Sequence, residues 1–342
     1  MTKSPYFVDW AITKECNLHC IHCTGMMDSE LNTDEALRVV DEIAELKPGW
    51  VNVEGGEALL RKDIFTILSK MKQKKLETYL ITNAQLMDEE KVKKLKELGI
   101  KILISVDGAD SITYEEIKRG ASWEKVLKNA KLASKADILH GITVVLSKRN
   151  CHQIKEFISL AEVLKAKVLI FIGLQPFIPA ETFYELTLTN IDYQSTIQQV
   201  TNLMKETKLK IFFDEPFFWP MAKKLSGGTN PLLVKEEIES GIVVNEVKGC
   251  ILGDYIYIQT NGDVRPCMFA PKELTFGNVQ SEPLIKLWDK MQRHPLLSHL
   301  KRQELRKGKC KECECFNECG GCPIRVFGYT REWFESDPAC PV

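Results

Sequence analysis

The chain has 342 residues, 44% of them hydrophobic and 27% charged, and a net charge of -1. That is the make-up of a globular protein with room for two domains, and the balanced charge gives no surface suited to nucleic acid or an acidic membrane. No apolar run reaches the roughly 20 residues of a membrane span and no export signal precedes the first strand-like run, so a cytoplasmic protein is expected.

Taken in chain order, strand-like runs fall at Phe7–Thr13, Trp50–Glu54, Glu77–Thr82, Ile100–Asp107, Gly141–Ser147, Val168–Gly173 and Lys210–Phe213. Each is short, apolar and rich in β-branched residues, the pattern of strands covered on both faces. Amphipathic helix patterns lie between them at Thr33–Glu45, Asp63–Lys74, Asp88–Leu98, Trp123–Ser134, Gln153–Leu164 and Asp192–Thr207. Asn32 with Glu35 predicts a capping box for the first helix, and Gly99 a stop for the third. Strand-then-helix alternation predicts a parallel sheet with right-handed crossovers. Six units suggest a partial (β/α)6 TIM-like barrel over residues 1–215 rather than the full eight-unit form. Residues 216–249 read as a Pro/Gly-containing connector with a charged helix near Val234–Glu239. In the region 250–342, YIYIQTNGDVRPC predicts a hairpin turning at Asn261–Gly262, Pro283–Gln292 a short helix, and the tail from Cys310 a cysteine-rich knot.

Active groups of such folds sit at the C-terminal ends of the strands. The first strand leads into KECNLHCIHC, which places Cys16, Cys20 and Cys23 in a C-x3-C-x2-C pattern. The second ends in EGGE (Glu54–Glu57), the third in TNA (Thr82–Ala84) and the fourth in SVDG (Ser105–Gly108), so the unusual residues fall on one rim. Eight of the 12 cysteines lie between Cys250 and Cys340. In a chain of this size without an export signal, metal or cluster ligation is a better reading than disulfides. Three thiolates leave a site one ligand short.

That three-cysteine pattern, followed by GGE, resembles the radical S-adenosylmethionine (SAM) superfamily. The resemblance implies that Cys16, Cys20 and Cys23 hold a 4Fe–4S cluster whose fourth iron binds SAM. One electron then cleaves SAM to a 5′-deoxyadenosyl radical, which takes hydrogen from a substrate. It further implies that His22 packs near the adenine, that Gly55, Gly56 and Glu57 receive the SAM ammonium, and that Asn83 and Ser105 contact the ribose or amino-acid portion. Arg119 is implied to pair with the SAM carboxylate. Ala58 stands where the family usually has proline. Ser105 and Asp107 can also be read as ordinary strand ends.

The later cysteines resemble the SPASM extension, which holds auxiliary 4Fe–4S clusters. That resemblance implies Cys250, Cys267 and Cys322 for one cluster and Cys310, Cys313, Cys319 and Cys340 for another. Cys315 is additional and can join either set; Cys151 is left over. The last close pair is spaced x2 where the pattern usually has x3, and four-cysteine zinc sites remain a rival reading. No catalytic side chain is assigned. SPASM members mostly modify ribosomally made peptides or proteins, and that is the first expectation for the substrate. It calls for an electron donor such as ferredoxin or flavodoxin and for a separate leader-binding protein or a barrel that binds peptide unaided. Met268 stands where anaerobic sulfatase maturases carry aspartate, which weakens that reading. The alternative is removal of tetrapyrrole propionates, for which Arg265, Lys272, Arg325 and Arg331 are the candidate cations. Asp214 and Glu215, at the end of the last strand, are candidate proton acceptors.

Overall fold

The computed structural model describes residues 3–23, 29–175, 181–227 and 249–342, the side chains of 181–183 excepted. The expected helix near Val234–Glu239 lies outside these residues. One ten-stranded sheet organises them, in the order β10-β9-β8-β1-β2-β3-β4-β5-β6-β7. Its first seven strands are β1 (Phe7–Ala11), β2 (Trp50–Glu54), β3 (Thr78–Thr82), β4 (Lys101–Ser105), β5 (Leu139–Leu146), β6 (Val168–Gly173) and β7 (Lys210–Asp214). All seven pair in parallel with their sequence neighbours. The hairpin contributes β8 (Ile256–Ile258) and β9 (Asp263–Arg265), and Gly277–Asn278 forms β10. β8 runs parallel to β1, with Asp9 opposite Tyr257. The C-terminal hairpin thus extends the barrel sheet on the side away from β2. The α/β partial-barrel reading holds.

Alternation along the strands sorts two layers. In β2, Val51 and Val53 are fully buried beneath the helices, while Trp50, Asn52 and Glu54 face inward. The outer layer is a continuous apolar core, with Val39, Val40, Ile43, Ile67, Leu68 and Phe157 each at 0% exposure; each such burial contributes about 1.5–3 kcal/mol. The inward face begins with an aromatic floor: Phe7 stacks between Trp50 (4.8 Å) and Tyr255 (4.5 Å). Asn32 caps the Thr33–Leu46 helix through the capping box, and Gly99 ends Glu89–Leu98 in the left-handed conformation at φ 74°.

Several helices depart from expectation, three of them with a cause legible in the structure. Ser111–Ile117 is capped by Asp110, which accepts from Thr113 N at 2.8 Å, a signal hidden in what reads as a turn. Phe218–Leu225 is helical inside the expected connector. Its Pro220 lies in the first turn, where no intrahelical donor is lost. Pro323–Thr330 forms a helix within the expected knot, with proline at its start. Among the described residues no helix is long and apolar enough to cross a membrane.

Candidate active site

The loop after β1 is held by backbone bonds on both flanks. On one flank Gly56 N donates to Thr13 O and Glu57 N to Glu15 O, each at 2.8 Å. A Cβ on Gly55 would sit 2.5 Å from Thr13 O, and one on Gly56 2.2 Å from Glu15 O. The glycines are therefore required by the close approach of the chain that leads into Cys16. On the other flank His19 N donates to Arg119 O (2.9 Å) and Ile21 N to Ile117 O (3.0 Å). Cys16 and Cys23 are exposed and Cys20 half-buried. Burial raises the Cys16 and Cys20 thiols, Cys20 to about 11, and the charge of nearby Cys23 adds to both.

Glu57 is 1% exposed. Its carboxylate accepts from Thr82 Oγ1 (2.8 Å), Asn83 N (2.8 Å) and Leu59 N (3.2 Å), which ties the end of β2 to the end of β3. Burial pushes its pKa up against these bonds. Asn83 in turn donates to Asn17 Oδ1 of the cysteine loop at 3.0 Å.

Around the end of β4 the structure gathers a buried ion group. Asp107, fully buried, lies 3.0 Å from Lys118 Nζ and 3.3 Å from His22 Nε2. Lys118 also donates to Ser105 Oγ at 2.8 Å. Burial alone would raise Asp107, but Lys118 and His22 outweigh it and hold the carboxyl below its usual range. Burial opposes the Lys118 charge, and Asp107 and Cys20 more than restore it. Lys118 is the cation that sequence reasoning passed over. Its neighbour Arg119 has an exposed side chain and joins the cysteine loop through its carbonyl. The signal was the adjacent pair Lys118–Arg119 after a helix whose periodicity buries Tyr114, Ile117 and Lys118.

The eight C-terminal cysteines fall into two neighbourhoods. Burial raises Cys250 and Cys267 to about 12; among the lesser causes, Cys250 feels Cys267 and Cys267 feels Cys322. Cys322 is raised by burial and feels Cys250. Separately, Cys319 feels Cys340 and Cys310, and Cys340, raised by burial to about 11, feels Cys310 and Cys313. Cys315 lies beside Cys313, and Cys151 stands apart at the packed edge of the main core. Backbone N–H groups point at several sulfurs: Leu18 N at Cys16 (3.4 Å), Phe269 N at Cys267 (3.4 Å), Gly321 N at Cys319 (3.3 Å) and Arg325 N at Cys322 (3.5 Å). Such donors favour the thiolate form that iron requires. The donor set therefore fits iron–sulfur clusters. Among the described residues, no group of His, Cys, Asp and Glu is placed to hold a metal ion directly.

Two of the four candidate propionate cations are already committed. Arg325, 2% exposed, makes an ion pair with Glu215 at 2.8 Å and donates two parallel hydrogen bonds to the Asp337 carboxylate at 2.6 and 2.8 Å. Arg265, 8% exposed, donates to Ala270 O (3.1 Å) and Thr275 Oγ1 (3.3 Å). Lys272 and Arg331 are exposed. Glu215 is equally engaged: Tyr193 Oη donates to it at 2.7 Å, and burial raises its pKa to about 7. Asp214, by contrast, ends β7 in register with Ile172 and keeps an exposed side chain; the surrounding protein raises its pKa, and the nearby Arg325 charge opposes that.

Comparison with known proteins decides the family. Residues 10–161 match the family model of the radical SAM superfamily, and residues 250–323 that of the SPASM iron–sulfur cluster-binding domain. The chain is a radical SAM enzyme with a SPASM domain. Its cofactors are accordingly 4Fe–4S clusters and SAM. It is 29% identical over 99% of its length to the AdoMet-dependent heme synthase of Methanosarcina barkeri, covering 97% of that protein. Against the mycofactocin maturase MftC of Mycolicibacterium smegmatis it is 26% identical over 98% of this chain and 83% of that one. The fold is similar to SuiB of Streptococcus suis bound to its precursor peptide SuiA, with a TM-score of 0.78 at 20% identity over 99% of this chain and 76% of that one.

Proposed function

We propose that this radical SAM/SPASM enzyme modifies a side chain of a peptide or protein held inside the barrel. Cys16, Cys20 and Cys23 hold the catalytic cluster in this reading. Gly55, Gly56 and Glu57 shape the SAM ammonium site beside Asn83 and Ser105, and His22 lies toward the adenine. Lys118 supplies the buried positive charge there in place of Arg119. When bound, the cluster and SAM supply hydrogen abstraction from an unactivated C–H bond. The chain's own residues fix the loop between two backbone ladders and keep a cation beside it. Cys250, Cys267 and Cys322, and separately Cys310, Cys313, Cys319 and Cys340, hold auxiliary clusters, with Cys315 beside the second set. A reductant of the ferredoxin or flavodoxin class supplies the electron.

The observation that carries the substrate reading is the carboxyl lining of the interior. Asp9, Glu54 and Asp214 face it. Arg265 and Arg325, the buried arginines set aside for propionates, are consumed by internal partners. A substrate with several propionates finds carboxyls there in place of cations. The second reading, tetrapyrrole side-chain modification, is favoured by the end-to-end similarity to the AdoMet-dependent heme synthase.

One anaerobic experiment tests the pair. Reconstituted enzyme with SAM and dithionite is given iron coproporphyrin III, and the porphyrin is analysed by mass spectrometry. The peptide reading expects unchanged porphyrin. Loss of propionate carboxyls would overturn it in favour of the second.

A further inference from the structure

The inner wall of the barrel carries one polar row above its aromatic floor. Register places Tyr257, Asp9 and Asn52 side by side on β8, β1 and β2. Being in register on adjacent parallel strands, they face the same way. Asn52 Nδ2 donates to Asp9 Oδ1 at 2.7 Å, which fixes that carboxyl. Two residues farther along β2, Glu54 sits opposite Ala11 and next to Gly55. The Ala11 side chain is too small to cover it. The Glu54 carboxyl has no hydrogen-bond partner among the described residues, and burial holds its pKa near 7. Asp214 reaches the same interior from the end of β7 and is felt by Asp9 and by Cys267.

Tyr257 adds an independent observation. It is 5% exposed, yet its hydroxyl has no hydrogen-bond partner among the described residues, and Glu54 and Asp9 are the charges nearest to it in effect. The hydroxyl oxygen is not itself fully buried, so it opens onto the interior, where a ligand or water can reach it. Carboxyls that feel one another, as Asp9 does Glu54 and Asp214, repel when ionised, and a cation placed among them relieves that repulsion. Asp214 feels Arg325 and Tyr257 feels Arg265, but among the described residues these cations already have partners of their own. Lys118 is held by Asp107 and Ser105, Arg325 by Glu215 and Asp337, and Arg265 by Ala270 and Thr275.

We infer that Glu54, Asp9 and Asp214, with the Tyr257 hydroxyl, form a specificity subsite for a cationic side chain of the substrate, an ammonium or guanidinium group. The inference rests on the peptide reading. The subsite lies between the SAM loop, through Glu54 and Gly55, and the Cys250–Cys267–Cys322 neighbourhood, through Asp214. A long cationic side chain anchored there is drawn past the catalytic loop, and carbon atoms along its stem or in the adjoining backbone come within reach.

The test uses reconstituted holoenzyme with SAM and fluorescein-labelled pentapeptides Gly-Gly-Xaa-Gly-Gly, where Xaa is Lys, Arg, Gln or Glu, read by fluorescence anisotropy. The Lys and Arg peptides are expected to bind at least tenfold more tightly than the Gln peptide. Glu54→Gln and Asp214→Asn should each remove most of that preference. Asp214→Lys, which inverts the local charge, should favour the Glu peptide. Equal binding of all four peptides overturns the inference while leaving the peptide reading in place. A Lys preference that survives both amide variants does the same. Binding of coproporphyrin III under the same conditions, with no binding of any peptide, overturns the peptide reading itself. Each variant is checked for the wild-type cluster spectrum before binding is measured.

Discussion

Cys16 and Cys23 lie exposed on a loop that two backbone ladders hold from either side, whereas Cys250, Cys267 and Cys322 sit in surroundings that raise their thiols far above the ordinary value. The first region borrows its shape from its neighbours, Gly55–Glu57 and Ile117–Arg119. The second carries a buried ionic centre of its own, in which Arg325 joins Glu215 of the barrel to Asp337 beside Cys322. The difference teaches what each must do. A small molecule that enters and leaves each turnover needs an open approach to the sulfur ligands. A centre enclosed by protein suits electron relay or a fixed partner, and its low-dielectric setting stabilises every charge pair around it.

The largest effect is expected from breaking the buried centre. Arg325→Met strands Glu215 and Asp337 and should cost about 3–5 kcal/mol. Calorimetry should show a lowered Tm, and iron analysis should show auxiliary iron lost ahead of the catalytic cluster. Uniform iron loss would mean that the two regions are not separable. Acid tests the barrel instead. His140 is 3% exposed, its Nε2 lacks a partner, and burial lowers its pKa to about 4. A histidine depressed in the fold binds fewer protons there than in the unfolded chain. Stability is therefore full above the unfolded value near 6.5 and lost as pH falls toward 4, by about 3 kcal/mol in all. Tm measured against pH for His140→Phe should be flatter over that window, provided the variant folds.

Gly56→Ala drives a methyl into Glu15 O and should abolish SAM cleavage, assayed as 5′-deoxyadenosine, while auxiliary absorbance persists. Full cleavage would show that the ladder does not set the loop. Cys20→Ala should likewise stop cleavage and remove about four of roughly twelve irons, if each cluster holds four. The smallest effect is Asn32→Ala, which removes a helix cap outside both cysteine sets and should cost about 1 kcal/mol in denaturant unfolding. Any change in cluster content there would blur the contrast.

The seven parallel strands were legible because each is a short apolar run between turn signals, and periodicity reports burial on both faces. Asn32 and Gly99 were legible because caps are local chemistry. What escaped depends on distant contacts. Nothing near Gly55 or Gly56 in the chain announces that Thr13 and Glu15 pass within a Cβ of them. Arg325 reads as a surface cation until Glu215, 110 residues earlier, is brought against it. Lys118 was overshadowed by Arg119 because spacing alone does not say which of two adjacent basic residues turns inward. Tyr257 and Asp9 became neighbours only through the pairing of β8 with β1. The helix at Phe218–Leu225 was missed because Pro220 reads as a breaker when its place in the first turn is unknown.

That pairing has a consequence in time. β1 lies between β2 and β8, so its second edge stays open until residues 256–258 have been made. At roughly 5–20 residues per second of synthesis, that is on the order of 10–50 s with an apolar strand edge exposed. An unpaired edge of this kind invites pairing with other chains. Final closure also depends on contacts of long sequence separation, which form slowly. The loop that carries the first three cysteines is thus translated well before the strand that completes its frame.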